Sequence, residues 1–285
     1  MILLTGATGT VGRLVAGRLS GVAPVRLLTR DPGRLAAGPQ VEVVGGDFDE
    51  PRSLERALTG VRSALLVTAD PLTHVHDEHF LAAARRAGVR HVVKLSALAV
   101  TDPGARDLIT TWQRGNERLL RESGLSWTML RPRAFMSNTL GWARSVREED
   151  VVRAACGSTA NATVDPRDIA AVAAAALLDP DGHAGRAHPL TGPEAVSAAG
   201  QTEILAELLR RPLVFVELTT EQARERLRAR YPQPIADALM ESAARGRSGA
   251  KTRVHPTVQR LLGRPARSYR EWAADHLAAF AGRAC

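Results

Sequence analysis

A glycine-punctuated turn between an apolar run and a helical pattern opens the chain. Met1-Ile2-Leu3-Leu4-Thr5 is followed at once by Gly6-Ala7-Thr8-Gly9-Thr10-Val11-Gly12-Arg13, and Leu14, Val15 and Leu19 then recur at helical spacing. Strand, tight turn and helix in that order are what a dinucleotide phosphate site requires. Gly6 permits the turn out of the strand, Gly9 lets a pyrophosphate approach the backbone, and Gly12 lets the helix pack closely on the sheet. The unpaired N–H groups and positive dipole end of the helix then face the phosphates. The spacing is Gly-x-x-Gly-x-x-Gly, not the common Gly-x-Gly-x-x-Gly.

Strands and helices alternate from there. Val25–Thr29 reads as a second strand whose end, in a parallel dinucleotide fold, meets either a ribose hydroxyl or a 2′-phosphate. Arg30 stands there, followed by Asp31-Pro32, a good helix start. Arg30 is therefore read as the 2′-phosphate partner and Asp31 as a cap, favouring NADPH over NADH. Val41–Val44 is a third strand running into Asp47-Phe48, a carboxylate and an aromatic suited to holding an adenine. Ala64–Thr68 is a fourth, and the following Ala69-Asp70-Pro71 passes close to the riboses. His74, His76 and His79 invite a metal reading. They lack a His-Glu-x-x-His pattern or a cysteine partner, and are read as a helix start rather than a metal site. His91–Ser96 is a fifth strand, with Ser96 at its carboxyl end where a substrate carbonyl meets the nicotinamide. An amphipathic helix over 108–123 and a sixth strand over 125–130 complete a doubly wound parallel α/β sheet of the Rossmann type.

After about residue 150 the rhythm changes. Helices over 199–211, 219–230, 232–244 and 268–281 surround one more strand, Leu213–Glu217. The expected division is a nucleotide-binding domain over 1–192 and a smaller, mainly helical substrate-binding part over 193–285, with a contribution from 133–160. Arg245–Gly249 reads as a loop.

The 285 residues have ordinary apolar and charged fractions, 45% and 24%, so a core forms without staples. Cys156 and Cys285 offer no disulfide framework and no zinc spacing. No signal-peptide pattern or bilayer-length run is present, so a cytoplasmic protein without membrane contact is expected. The net charge is +8. Lys94 and Lys251 are the only lysines, and arginine carries the rest along amphipathic helices. A nucleic-acid partner, which needs the charge on one face, is not expected.

The motifs Thr5–Gly12, Thr29-Arg-Asp-Pro32, Gly46-Asp-Phe48, Val93-Lys-Leu-Ser96, Ser123–Pro132 and Phe135-Met-x-Asn138, with the tail Leu262–Pro265 and Trp272–His276, resemble the NmrA-like branch of atypical short-chain dehydrogenases/reductases. The resemblance covers essentially the whole chain. It implies NADP(H) held by Gly6, Thr8, Gly9, Thr10, Val11, Gly12, Arg30, Asp47, Phe48 and the stretch Thr68, Ala69 and Asp70. Ser96, Pro132, Ala134 and Phe135 would line the nicotinamide. The branch includes quinone and azo reductases, tailoring ketoreductases of aromatic polyketide pathways, and regulators that bind the dinucleotide without turnover.

Ketone reduction needs a proton as well as a hydride, and short-chain reductases take it from a Tyr-x-x-x-Lys pair. Tyr231 and Tyr269 are the only tyrosines, and neither has a lysine four residues on. Relatives often carry His-x-x-x-Glu on the helix before the sixth strand. Gln113 and Glu117 stand there, and a glutamine delivers no proton near neutrality. The catalytic candidates are thus Ser96, Gln113 and Glu117, with Ser96, Trp112, Phe135 and Asn138 around the substrate. The expectation is an NADPH-dependent reductase of a carbonyl on a polycyclic aromatic, polyketide-like substrate, acting as a monomer or homodimer. Water or the substrate's own phenol supplies the proton. A quinone reductase and a non-catalytic NADP sensor are the alternatives.

Overall fold

The computed structural model describes residues 1–73, 75–246 and 249–281. The elements in chain order begin with β1 (Ile2–Leu4), α1 (Thr10–Leu19), β2 (Val25–Thr29), β3 (Val41–Gly45), α2 (Pro51–Leu58), β4 (Ser63–Leu66), α3 (Val75–Arg86), β5 (His91–Leu95), α4 (Leu108–Glu122) and β6 (Ser126–Pro132). They continue with α5 (Ala143–Glu149), β7 (Val151–Ala154), α6 (Pro166–Leu178), α7 (Pro180–His183), β8 (Arg186–Leu190), α8 (Ala198–Leu209) and β9 (Val214–Glu217). The last four are α9 (Thr220–Arg228), α10 (Gln233–Gly246), α11 (Thr257–Leu262) and α12 (Tyr269–Asp275).

The chain forms two compact units. The first comprises Met1–Val100, Thr110–Pro132 and Pro166–Pro189; the second comprises Thr101–Ile109, Arg133–Asp165 and Leu190–Cys285. This differs from one cut at residue 192, because the chain leaves the first unit twice before its C-terminal part begins.

The first unit is built on a seven-stranded sheet in the order β3-β2-β1-β4-β5-β6-β8. The pairs β1–β2, β1–β4, β2–β3, β4–β5 and β5–β6 are all parallel. Strand alternation sends successive residues to opposite faces. Leu3, Leu28, Leu66, Val92 and Met129 pack with Leu54 and Leu58 of α2, Phe80 and Leu81 of α3 and Leu120 of α4. On the other face α1 packs against α6, which also covers β4, β5 and β6. This is the Rossmann arrangement expected, with helices on both faces of a parallel sheet.

That order puts β2 and β4 on either side of β1, so the chain reverses its direction of winding there. Ligands bind outside the carboxyl ends of the strands at such a switch point. The residues following β3, β2, β1, β4, β5 and β6 therefore lie in a row along one sheet edge.

The second unit has its own core of Met136, Val146, Val152, Leu205, Tyr269, Trp272, Ala273 and Phe280. A two-stranded parallel ladder joins β7 to β9. The helix expected over 268–281 stops at Asp275. The His276 ring bonds the Trp272 carbonyl at 2.7 Å through Nδ1, occupying the acceptor that its own backbone N–H would take in a continuing helix. Arg245 and Gly246 belong to α10 rather than to a loop; Arg247 and Ser248 lie outside the described residues, as does Cys285. Among the described residues no helix is long and apolar enough to cross a membrane.

Candidate active site

The glycine turn has the geometry its spacing predicts. Gly6 has φ +61°, and Gly9 N–H donates to the Gly6 carbonyl at 2.9 Å, closing the turn. A Cβ on Gly12 would lie 2.2 Å from the Gly6 carbonyl oxygen, so only glycine lets α1 start this close to the strand. Thr5 Oγ1 donates to the Leu65 carbonyl at 3.0 Å and accepts from Val67 N–H at 2.7 Å, pinning the turn to β4. Gly9 caps α1 without a side-chain bond. The first-turn N–H groups of a helix have no intrahelical acceptor, so the cradle suits a pyrophosphate. Thr8, Gly9 and Thr10 are exposed there, whereas the Val11 side chain is in the core and offers a ligand only its backbone.

Along the same edge Arg30 is exposed after β2, and Asp31 accepts from Gly33 N–H at 3.2 Å, capping a short 3₁₀ turn over Pro32–Arg34. Arg30 is thus exposed where the sequence expects a 2′-phosphate contact, while Asp31 serves as the cap. After β3, Asp47 accepts from Asp49 N–H at 3.1 Å, and the Phe48 ring stacks on His76 with centroids 5.4 Å apart. His76 Nε2 lies 3.0 Å from Asp49 Oδ1, and His79 Nδ1 lies 2.7 Å from the Phe48 carbonyl. These histidines clamp the Asp47–Asp49 loop. His74 lies outside the described residues, among which no group of three His, Cys, Asp or Glu is placed to hold a metal.

After β4 the expectation for Thr68 needs correction. Its hydroxyl donates to Asp77 Oδ2 at 2.7 Å and accepts from Lys94 Nζ at 2.6 Å, and Lys94 lies 2.7 Å from Asp77 Oδ1. All three are buried, so Thr68 holds the strand end rather than turning its hydroxyl to a ligand. Ala69 and Asp70 are exposed, with Asp70 accepting from Leu72 N–H at 3.0 Å. Trp112 is also corrected: it is 6% exposed, with Lys94 Nζ 5.6 Å from its ring centroid, and packs inside the unit rather than lining a cleft.

Ser96 follows β5. Its backbone N–H donates to Leu130 and its Oγ donates to Glu117 Oε1 at 2.7 Å. Glu117 also accepts from Arg131 Nε at 2.8 Å and Nη2 at 2.6 Å, and from Arg121 Nη2 at 2.9 Å. Burial alone would raise its carboxyl; hydrogen bonds from Arg131 and Ser96, the Arg131 charge and the Arg121 bond outweigh that and hold it below the ordinary value. Glu117 is therefore a buried carboxylate with no proton to give near neutrality, and Ser96 spends its own proton on it. Gln113 is buried with its Oε1 enclosed and unbonded. Ser96, Gln113 and Glu117 come together in the first unit without making an acid.

Pro132 ends β6 and is buried. In the second unit Ala134 and Met136 bond Val164 through their backbones at 2.9 and 3.0 Å, which fixes half-buried Phe135 between them; Asn138 is exposed. Tyr269 is buried there and donates to Thr139 Oγ1 at 3.2 Å; burial pushes its phenol well above the usual range. It is no proton donor either.

Sequence reading did not assign Arg131, Lys94 or Asp77. A lysine in the apolar run Val92-Val93-Lys94-Leu95 was the available signal, since a charge in a central strand needs a buried partner.

A seven-stranded parallel sheet with a glycine cradle at its switch point and an exposed arginine after β2 is the arrangement of a dinucleotide-binding protein. A family model for NAD(P)H-binding proteins matches residues 6–180, and the chain belongs to this NAD(P)H-binding family. It is 55% identical, over 99% of both chains, to a (4-alkanoyl-5-oxo-2,5-dihydrofuran-3-yl)methyl phosphate reductase of Streptomyces griseus. It is 37% identical to an NAD(P)H azoreductase of Xenophilus azovorans, covering 98% of this chain and 99% of the relative. Among solved structures, the NADPH-dependent quinone oxidoreductase of Escherichia coli in complex with NADPH aligns with a TM-score of 0.85 at 25% identity, covering 98% of this chain and all of the other. The protein is an NAD(P)H-dependent oxidoreductase, and NADP(H) is its cofactor.

Proposed function

We propose that the protein reduces an electron-poor, conjugated acceptor whose reduced form is a stabilised anion, and that this acceptor is an acylated butenolide methyl phosphate. The observation that carries the reading is the Ser96–Glu117–Arg131 array. It sits where the hydride acceptor is expected and holds a carboxylate ionised, so it supplies no acid.

Gly6–Gly12, Arg30, Asp47–Phe48 and the backbone of Thr68–Asp70 would hold NADPH, which would supply a hydride. In a 4-alkanoyl-5-oxo-2,5-dihydrofuran the ring double bond joins carbons 3 and 4. Carbon 4 bears the alkanoyl group and adjoins the lactone carbonyl. A C–H bond forms at carbon 3, the π pair moves to carbon 4, and two carbonyl oxygens share the charge. Water then protonates carbon 4. Such a 1,3-dicarbonyl anion is a weak base and waits for a solvent proton, so positioning is the protein's main contribution. Arg131 and Arg121 lock Glu117, which locks the Ser96 rotamer, giving the nicotinamide pocket a fixed wall.

The aromatic ketone expected from the sequence and its family resemblance places the same low demand on the protein, since a neighbouring phenol quenches its alkoxide. So does a quinone, whose product is a phenolate. The 55% identity to the furanone phosphate reductase favours the conjugated lactone over both. The likeness to the quinone oxidoreductase supports quinones as accessory acceptors.

NADPH oxidation against an acyl butenolide phosphate, a hydroxyaromatic ketone and a quinone tests the order. The lactone is expected to have the highest kcat/KM. A ketone turned over faster than the lactone overturns the reading, and so does tight NADP binding with no turnover of any of the three.

A further inference from the structure

Arg133 and Lys251 of the second unit are partly buried cations that meet where the Arg133 side chain reaches Ala250. Arg133 is half-buried, and its Nε is enclosed with no hydrogen-bond partner. Its Nη2 reaches only the Ala250 carbonyl, at 3.4 Å. Lys251 is the next residue along that loop; its Nζ donates to Ser242 Oγ at 3.1 Å. Neither cation has a carboxylate within ion-pairing distance among the described residues. Their neighbours are served differently: Arg245 pairs with Asp102, and Arg267 bonds Asp165 at 3.0 Å.

Backbone bonds hold this arrangement. Arg133 N–H donates to Leu190 at 2.8 Å, and Ala162 N–H donates to Lys251 at 3.0 Å. Thr191 Oγ1, next in the chain to Leu190, accepts from His255 N–H at 2.9 Å. Three segments thus bring Arg133, Lys251 and His255 into one neighbourhood.

We propose that Arg133 and Lys251, with His255 beside them, bind a phosphomonoester dianion. The site rests on the two cations and their backbone frame, and not on the acceptor read above.

Removing a cation from water without an anion is costly, and a native fold keeps such a pair where a ligand repays it. Burial, outweighing Asp102, pulls Arg133 below its ordinary value. Burial does the same to Lys251, reinforced by Arg133 and Arg245 and opposed by Asp107 and Cys156. His255 is held neutral by burial and by Arg253, Arg133 and Arg260, and so offers a hydrogen-bonding nitrogen rather than a third charge. Two cations from separate segments match a dianion better than a single carboxylate, and a guanidinium with a compact ammonium suits phosphate oxygens. The cofactor's 2′-phosphate is a separate anion, assigned to Arg30 in the first unit. Lys251 is one of only two lysines in a chain with 38 Lys and Arg. The other, Lys94, has its carboxylate in Asp77.

Calorimetry on the full chain saturated with NADP⁺ tests the site, with phenyl phosphate as probe and phenol as control. Phenyl phosphate should bind the wild type well over tenfold more tightly than phenol does. Lys251→Gln should weaken it about tenfold or more, and Lys251→Arg should restore it to within about threefold. Equal binding of phenol, an unchanged Lys251→Gln, or an Lys251→Arg as weak as Lys251→Gln overturns the site.

Discussion

Ser96 Oγ donates to Glu117 Oε1 at 2.7 Å, and both side chains are buried. The direction of that bond decides the chemistry. A serine giving its proton to a carboxylate has none for a nascent alkoxide, and the carboxylate, braced by Arg131 and Arg121, stays ionised. The proposed function follows from this, with an acceptor whose anion takes its proton from solvent.

Ser96→Ala then removes a wall contact rather than an acid. Its kcat/KM on the conjugated lactone should fall by no more than about tenfold, with an unchanged pH profile. Loss of a general acid would cost about 10²–10⁴-fold. Steady-state rates between pH 6 and 9 separate the two.

Arg30 is exposed after β2 while Asp31 is occupied by its cap. Arg30→Asp should weaken NADPH about ten- to hundredfold and leave NADH nearly unchanged. Fluorescence titration with each dinucleotide checks this, and an unaltered preference removes Arg30 from the phosphate.

Gly12→Ala puts a methyl 2.2 Å from a backbone oxygen, where no side chain can yield. It should destabilise the protein by about 1–3 kcal/mol and weaken NADPH binding together, because α1 must move off the turn. Thermal unfolding with and without NADPH reads both effects.

Lys94→Met leaves the Asp77 carboxylate buried without its cation and should cost about 3–5 kcal/mol. Lys94→Met combined with Asp77→Leu should recover most of that. Denaturant unfolding of the single and double variants checks the cycle.

Much of the first unit was legible because its signals are local. Short, nearly continuous apolar runs mark the buried parallel strands, and the glycines of the turn answer steric demands within seven residues. Asp31-Pro32 identifies itself as a cap. Contacts across long separations were not legible. Lys94 meets Asp77 and Thr68 only once β4, β5 and α3 are in register, and that meeting also buries Trp112, which composition alone leaves free for a substrate. The sequence expects only a contribution from 133–160 to the substrate-binding part; the structure puts all of 133–165 in the second unit, where Arg133 N–H donates to Leu190 across a long separation. His76 and His79 carry metal-like chemistry in sequence and serve as loop clamps in space.

The His91 ring is buried, with Nε2 2.9 Å from Thr128 Oγ1. Burial, aided by His183 and opposed by Asp181, lowers it from 6.5 to about 4. The folded state thus binds fewer protons than the unfolded state between those values, and stability rises with pH there. The contribution is complete above 6.5 and is lost as the pH falls towards 4, on the order of 3 kcal/mol in all. Urea midpoints across pH 4–8 should show the loss, and His91→Gln should flatten it.

The central claim is that hydride goes to the conjugated ring carbon and not to a carbonyl carbon. Incubating the enzyme with NADPH deuterated at the transferring position and an acyl butenolide phosphate, then locating the label by NMR, tests it directly. Deuterium on ring carbon 3, with the alkanoyl carbonyl intact, is the predicted result. Deuterium on a new carbinol carbon at the alkanoyl group would contradict it.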